Sequence, residues 1–574
     1  MDVDKSLRVL GSFGRMQALN YFTYVLAVSV AAWHITGVSF TIGQPDNNRC
    51  RIPENETSFT TPLDDGCHQI VYYNNDTGGD NETMACTDGW EYDTVHGETS
   101  VVTDLNLVCD RAILGSTLQS VHFGGCLLGS YVTGQMSDIF GRRLTLLGSL
   151  VGIVLTGTGF SFAQSYGLMS FLKFLHGCFI PGLLLVPYVR IIEMFPPSFR
   201  VRSHLGSAML WCLGLVLVGP LAYILPNWRH LQLVMSLLAA PLIVLVWYSY
   251  ESVRWLLQKG RVDEAEKIFQ RISKSKNISH VGGYFFLPQQ DKEHELINGS
   301  SRPELSDEKP PLDIKASDYS QLESDVPAVK DTKKYTLLDL FRTRALAIQT
   351  LIVLYCWFAC SAVYYGFFLI AANLVGNMYV NFTLMSLTEA PCYIANYFVT
   401  IRFGRRRPLM IYFIVSGVAC VVTGLIPDES GDGTDLSMLK LGLAMIGRFF
   451  ASTAFDLTCL VTIEMFPTVL RNAAAGAASL IGRVGGMVAP FIVFLNVIHS
   501  SIPFIVFGVV SLIAGLLVFP LAETNNRSLP ETMDDGAKLA EKDEAGSTHK
   551  CLKEKHSQTC INLSTSVEGL APCV

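Results

Sequence analysis

The chain has 574 residues, of which 50% are hydrophobic and only 16% charged, with a formal net charge of −7. A soluble chain carries about 25% charged residues, so a water-soluble enzyme or binding domain is excluded as the general class, and no nucleic-acid partner is expected. The apolar residues fall in blocks rather than alternating, which excludes a transmembrane barrel and leaves helices to satisfy the backbone in lipid.

Residues 1–16, with Lys5, Arg8 and Arg15, read as a short cytoplasmic N-terminus. Twelve stretches long enough to span follow, at about 17–43, 112–135, 144–164, 167–190, 204–225, 230–250, 346–370, 378–401, 409–427, 438–461, 473–495 and 502–520; a spanning helix needs about 20 mostly apolar residues. They divide into a half over 17–250 and a half over 345–520. The expectation is an all-α membrane protein of twelve transmembrane helices in two pseudo-symmetric six-helix halves. Segments after even-numbered spans are basic, with Arg142, Arg143, Arg200, Arg202, Arg405, Arg406, Arg407 and Arg471, while Asp428, Glu429, Asp432 and Asp435 lie on the other side. The positive-inside rule therefore places both termini in the cytoplasm. The first apolar stretch is too long for a cleavable signal and lacks a small-residue cleavage site, so it reads as a signal anchor and first span.

Between spans 1 and 2 lies a large polar loop, 44–110, assigned outside. Its four cysteines, Cys50, Cys67, Cys86 and Cys109, predict two disulfides, with three connectivities open. Asn55, Asn75 and Asn81 stand in sequons and are the glycosylation candidates. Spans 2 and 3 are joined by GQMSDIFGRRLTL, where glycine turns the chain and Asp138, Arg142 and Arg143 hold the corner; IRFGRRRPL repeats this between spans 8 and 9, so that Gly141 recurs as Gly404. After span 4 comes EMFPPSFR and after span 10 EMFPTVLR, so that Glu193 recurs as Glu464, and Glu251 recurs in the same way as Glu523. Three pairs of marks at nearly one offset, close to half the chain, are the sign of a duplication. Glu193, Arg200, Glu464 and Arg471 are read with the arginine turns as a gate, linking helix ends while the inside is shut. The linker, 251–344, begins with short amphipathic helices and continues through a polar stretch, about 274–334, that reads as disordered. The tail, 521–574, reads the same way.

Twelve spans in two sixes with GxxSDxxGRR after span 2 resemble the major facilitator superfamily. SVVTDLNLVCDRA before span 2, ESVRWLLQKGRVDEAE after span 6, WFACSAVYYG in span 7, LTEAPCY in span 8 and EMFPTVLRN after span 10 resemble the organic ion transporter family within it. The resemblance runs from about residue 10 to 530 and implies a carrier of organic cations, anions or carnitine-like zwitterions. Val253 departs from the proline usual in that family, and four loop cysteines in place of six imply one disulfide fewer.

Charge inside the membrane costs roughly 2.5–3.5 kcal/mol on insertion scales and marks function. Arg483 in span 11 lies twelve residues beyond Arg471, about 18 Å deep at roughly 1.5 Å per residue. The family resemblance implies Asp at this position in typical cation carriers and Arg in anion and carnitine carriers. A guanidinium can hold a carboxylate through two parallel hydrogen bonds; the competing reading is a structural pair with Glu389. Arg448 in span 10 lies near mid-membrane, and Lys173 in span 4 lies near the outer third, where it could equally reach headgroups. Arg190 belongs with the inner corner. Glu389, before Pro391, could bind an ammonium, take a proton or neutralise Arg483; Asp456 is read as gating or packing. Trp357, Tyr364 and Tyr365 in span 7, Tyr393 and Tyr397 in span 8, and Phe449 and Phe455 in span 10 form a candidate aromatic wall for a quaternary ammonium.

These residues predict a plasma-membrane secondary carrier, with a carnitine- or betaine-like zwitterion as the favoured substrate and Na⁺ or H⁺ coupling left open. An organic anion exchanger using Arg483 and Arg448, and a non-transporting receptor on a carrier scaffold, are the alternatives. No phosphate loop, metal-ligand cluster or nucleophile–base pairing supports an enzyme or a cofactor.

Overall fold

The computed structural model describes residues 13–45, short segments between 48 and 94, 96–195, 197–275, 337–370, 377–427, 436–525 and 530. The three sequon asparagines, the stretch predicted as disordered beyond Ser275, and the tail beyond 525 apart from residue 530 lie outside the described residues. Residues 521–525, read as part of the tail, are described and include the corner carboxylate Glu523. Among the described residues, nine helices are long and apolar enough to cross a membrane. The other three predicted spans are helical but fall short for local reasons. Span 2, Ile113–Phe140, spends its length on Gly, Ser, Thr, Gln and His. Span 8 is interrupted at Thr388, between Met378–Leu387 and Glu389–Phe403. Span 12, Ile502–Leu517, has 16 residues.

Without a hydrophobic drive between helices in lipid, close packing needs small residues. A methyl group at Gly125 or Gly129 of span 2 would stand 2.1 or 2.2 Å from the carbonyl oxygens of Phe174 and Cys178 in span 4 (Tyr166–Met194). Span 11 (Thr468–Phe494) meets span 7 (Arg344–Ile370) in the same way, Gly485 lying 2.4 Å from the Phe358 oxygen by that measure. The halves join through spans 2 and 11 and through spans 5 and 8. Ser120 donates to the Met487 carbonyl at 2.9 Å, Phe123 packs on Tyr365 at 4.9 Å, and Tyr379 stacks on Phe40 at 5.6 Å and meets Tyr223 edge-on at 5.5 Å. These contacts sit at the middle of the bundle and toward the loop between spans 1 and 2. That loop carries a two-stranded and a three-stranded antiparallel sheet held by disulfides Cys50–Cys86 and Cys67–Cys109.

On the opposite, arginine-rich face the duplicated marks assemble twice. Gly141 turns between spans 2 and 3 at φ +101°, and Gly404 between spans 8 and 9 at φ +84°, conformations that a side chain would strain. Just beyond each turn a carboxylate accepts the first backbone N–H groups of the next helix: Glu251 from Arg142 and Arg143, Glu523 from Arg405 and Arg406. A negative charge there satisfies otherwise orphaned donors and opposes the positive helix end. Arg142 then forks onto Glu193 at 2.9–3.2 Å and reaches Asp138 at 2.9 Å. Arg405 forks onto Glu464 at 3.1 Å. Both clusters lie within a half, and each joins the Glu of a repeated phrase to the first arginine after the glycine turn, Glu193 to Arg142 and Glu464 to Arg405. Arg143 points along span 6 to the Val246 and Trp247 carbonyls. Arg190 is at the corner, donating to the Tyr250 and Glu251 carbonyls between the rings of Tyr24 and Tyr250.

Candidate substrate site

The interruption of span 8 sets Glu389 at the first turn of the second helical segment, where its charge is favoured by the helix end. It faces span 10 (Ser437–Met465), on which Arg448, Ser452 and Asp456 recur every four residues and so share a face. Arg448 Nη2 lies 2.9 Å from Glu389 Oε2, Ser452 donates to the same oxygen at 3.1 Å, and the Tyr364 hydroxyl donates to Oε1 at 3.0 Å. The Arg448 guanidinium is also sandwiched at 3.9 Å from the Tyr364 ring centre and 4.2 Å from that of Phe368. Pair and rings are sealed from solvent, the two charged side chains being 0% and 3% exposed. Their charges cancel, as burial requires.

Arg483 is therefore not held by Glu389, and the structural pair expected as the alternative is ruled out by geometry. The residue is 5% exposed. Its Nη1 lies 3.5 Å from the Tyr365 hydroxyl, a long contact, and Nη2 is buried with no partner. No described carboxylate pairs with it. A buried guanidinium with free N–H groups is costly and has the donor pattern for a carboxylate.

The aromatic residues divide. Trp357 is anchored by its indole N–H to Thr462 at 2.9 Å, and Phe455 bridges it to Tyr364 at 5.8 and 5.4 Å. Tyr365 crosses Tyr364 at 5.2 Å and joins the wall to Arg483. Tyr393 packs partly buried against the same core. Tyr397 is 42% exposed, meets Phe398 edge-on and leaves the wall, and Phe449 turns to Phe450. Asp456 accepts from the Asn396 amide across the span 8–span 10 contact, and no described cation pairs with it.

A family model for "Sugar (and other) transporter" matches residues 69–535. The "Organic cation transporter protein" of Drosophila melanogaster is 32% identical over 94% of this chain and 96% of its own length. "Solute carrier family 22 member 1" of Bos taurus is 32% identical over 99% and 96%. The chain belongs to the organic ion transporter family of the major facilitator superfamily. Among solved structures, the partially occluded inward-open form of the E. coli xylose transporter XylE matches with a TM-score of 0.59 at 13% identity, covering 90% of this chain and all of that one. Its inward-open form gives 0.57 over 89% and 98%. The organic ion transporter thus has the twelve-span facilitator fold, and it is a secondary transporter of organic ions rather than an enzyme.

In this transporter Lys173 does not reach the headgroups. It is 1% exposed inside the first half, donating to Gln232 at 3.3 Å over the Phe160 ring at 4.6 Å. Lys173 and Arg483 are therefore in different halves, with span 2 between them. Sequence reasoning missed Phe368, Ser452 and Asn396, neutral residues whose value lies in what they touch. It also missed Glu251 and Glu523 as corner partners, although the repeat offset marked both. Of the expected gate, the Arg200 side chain lies outside the described residues, and Arg471 opens span 11 beyond the Glu464–Arg405 pair.

Proposed function

We propose that this organic ion transporter is a plasma-membrane carrier of a small carnitine- or betaine-like zwitterion, with both termini cytoplasmic and the disulfide-bonded loop, glycosylated at Asn55, Asn75 and Asn81, outside. The observation that carries the reading is Arg483, a buried guanidinium without a carboxylate beside an aromatic wall. The substrate carboxylate supplies the missing acceptor. The quaternary ammonium lies against Trp357, Phe455 and Tyr364, where cation–π attraction is worth about 0.5–2 kcal/mol. Glu389 is consumed by Arg448, so the carboxylate left to balance the cation is Asp456, one residue beyond Phe455. Arg448 being neutralised, the rival anion exchanger is left with Arg483 among the described residues of this site, and a receptor needs no matched corners. Proteoliposomes loaded with labelled betaine test this: unlabelled betaine competes, a dicarboxylate does not, and Asp456→Asn weakens betaine competition by about tenfold. Preferential competition by the dicarboxylate overturns the zwitterion in favour of the exchanger.

Alternating access rocks the halves about this site. The joined side is that of the disulfide-bonded loop, and the two corner clusters brace the ends of each half as it moves. Charge reversal, Glu464→Arg, places two cations together and is expected to cut the maximal rate by tenfold or more while leaving the ratio of two competing substrates within about twofold. A changed ratio at unchanged rate would place Glu464 in the binding site instead.

A further inference from the structure

The first half encloses a cluster that the substrate site does not use. His34 of span 1 (Arg15–Thr36) meets His176 of span 4 edge-on at 4.7 Å, and His122 of span 2 stacks on His176 at 6.1 Å. Their exposures are 2%, 1% and 0%, in the order His34, His176 and His122, and Lys173, one turn before His176, is 1% exposed. Span 3 (Arg142–Phe162) contributes Thr156 and span 6 contributes Gln232 and Ser236, all uncharged. The other titratable groups around the cluster are Cys126 of span 2, Cys178 of span 4, and Arg483 and Tyr365 across the half-interface. No described acidic side chain pairs with any of the four basic residues.

Hydrogen bonding fixes the tautomer of His176. The Thr156 hydroxyl spends its hydrogen on the Gly152 carbonyl at 2.6 Å. Its contact with His176 Nδ1 at 3.0 Å must therefore be donated by the imidazole. With the hydrogen on Nδ1, Nε2 is a bare lone pair, buried and without a partner. Both ring nitrogens of His34 are likewise without partners. Spans 2 and 4 meet here backbone to backbone, a methyl at Gly177 falling 2.2 Å from the His122 carbonyl oxygen, which leaves no room for an organic ion. The ligand that fits a lone pair in so tight a place is a proton.

We propose that His176, backed by His34 and His122, is the proton-binding site that makes this carrier a proton-coupled symporter. The proton adds to the Nε2 lone pair from water on one side, giving an imidazolium, and leaves the same nitrogen to water on the other; nothing is oxidised or reduced. This rests on the reading of Arg483 as the carboxylate site. In the empty carrier Lys173 repels a second positive charge beside it. Phe123, next to His122 on span 2, packs on Tyr365 at 4.9 Å, and the Tyr365 hydroxyl lies 3.5 Å from Arg483, so a carboxylate arriving at Arg483 offsets that repulsion from one helix away. Each ligand then favours the other, which is the thermodynamic content of coupling.

The test uses the full chain in proteoliposomes with the membrane potential clamped at zero. Labelled betaine is followed in counterflow and in accumulation driven by a one-unit pH gradient, acidic outside. The native chain is expected to show both, with accumulation near tenfold for one proton per substrate, and His176→Gln to keep counterflow but accumulate less than twofold. Accumulation by His176→Gln equal to native overturns the assignment, as does native counterflow without pH-driven accumulation. Absence of counterflow from the native chain overturns the substrate reading, and the coupling with it. Should His176→Gln lose counterflow by misfolding, Thr156→Val, which releases the Nδ1 donor, is read in the same assays and is expected to accumulate less than about threefold; native accumulation there overturns the proposal.

Discussion

Replacing Arg483 by alanine is expected to lower uptake of carboxylate-bearing substrates by about 10- to 100-fold and to leave the protein folded. A hydrogen bond to a charged partner contributes about 1.5–3 kcal/mol, and about 1.4 kcal/mol is tenfold in affinity. The second half of the expectation follows from what surrounds the residue. Arg483 is buried with Nη2 unpartnered and only a long contact to Tyr365, so the folded protein carries a desolvation cost that substrate relieves. Removing the charge should leave the melting temperature unchanged or raise it. Arg483→Lys keeps a point charge but loses the fork and should recover part of the uptake. Initial-rate uptake and thermal unfolding in nanodiscs read the two effects together. A variant that melts much earlier and still transports would show Arg483 to be a structural residue.

Glu389 is expected to behave in the opposite way. Glu389→Ala leaves Arg448 at 0% exposure without its counter-charge, and breaking a buried pair from one side costs about 3–5 kcal/mol. It also takes the acceptors from Ser452 and Tyr364. The expected result is a large fall in melting temperature and surface expression, with little change in substrate ranking in whatever folds. Glu389→Leu combined with Arg448→Met removes both charges and should be more stable than Glu389→Ala, because packing replaces a pair whose net contribution is small. Melting of Glu389→Ala at the native temperature would mean that Arg448 finds another anion and that the pair is not what closes this part of the bundle.

Much of this was legible in the sequence because it depends on composition and on position along the chain. Length and apolarity located the spans, including span 2, whose polar residues face the packed interior, and span 8, whose break falls beside the predicted Glu389 and Pro391. Repeat offsets near half the chain length announced two equivalent halves, and Gly141 and Gly404 announced turns that need positive φ. The offset even contained the corner network, since Glu251 and Glu523 were marked as a pair before their role as acceptors of helix-end N–H groups was visible.

What the sequence could not decide was direction around each helix. Residue number fixes depth in the membrane through a rise of about 1.5 Å per residue, and by depth alone Glu389 had both Arg448 and Arg483 as partners. Rotation and packing chose Arg448, because a four-residue spacing turns Arg448 and Ser452 together toward span 8, while Arg483 on span 11 faces Tyr365. Rotation also carried Tyr397 out of the wall and turned Lys173 inward to Gln232. The histidines of the first half, His34, His122 and His176, stand on three different spans, each an ordinary residue in an apolar run. Composition and periodicity determined that the chain spans a membrane as two matched halves. The packing of helices against one another decided which charges are cancelled and which are left waiting for a ligand, because cancellation needs hydrogen-bonding distances of about 3 Å between residues that the chain itself keeps far apart.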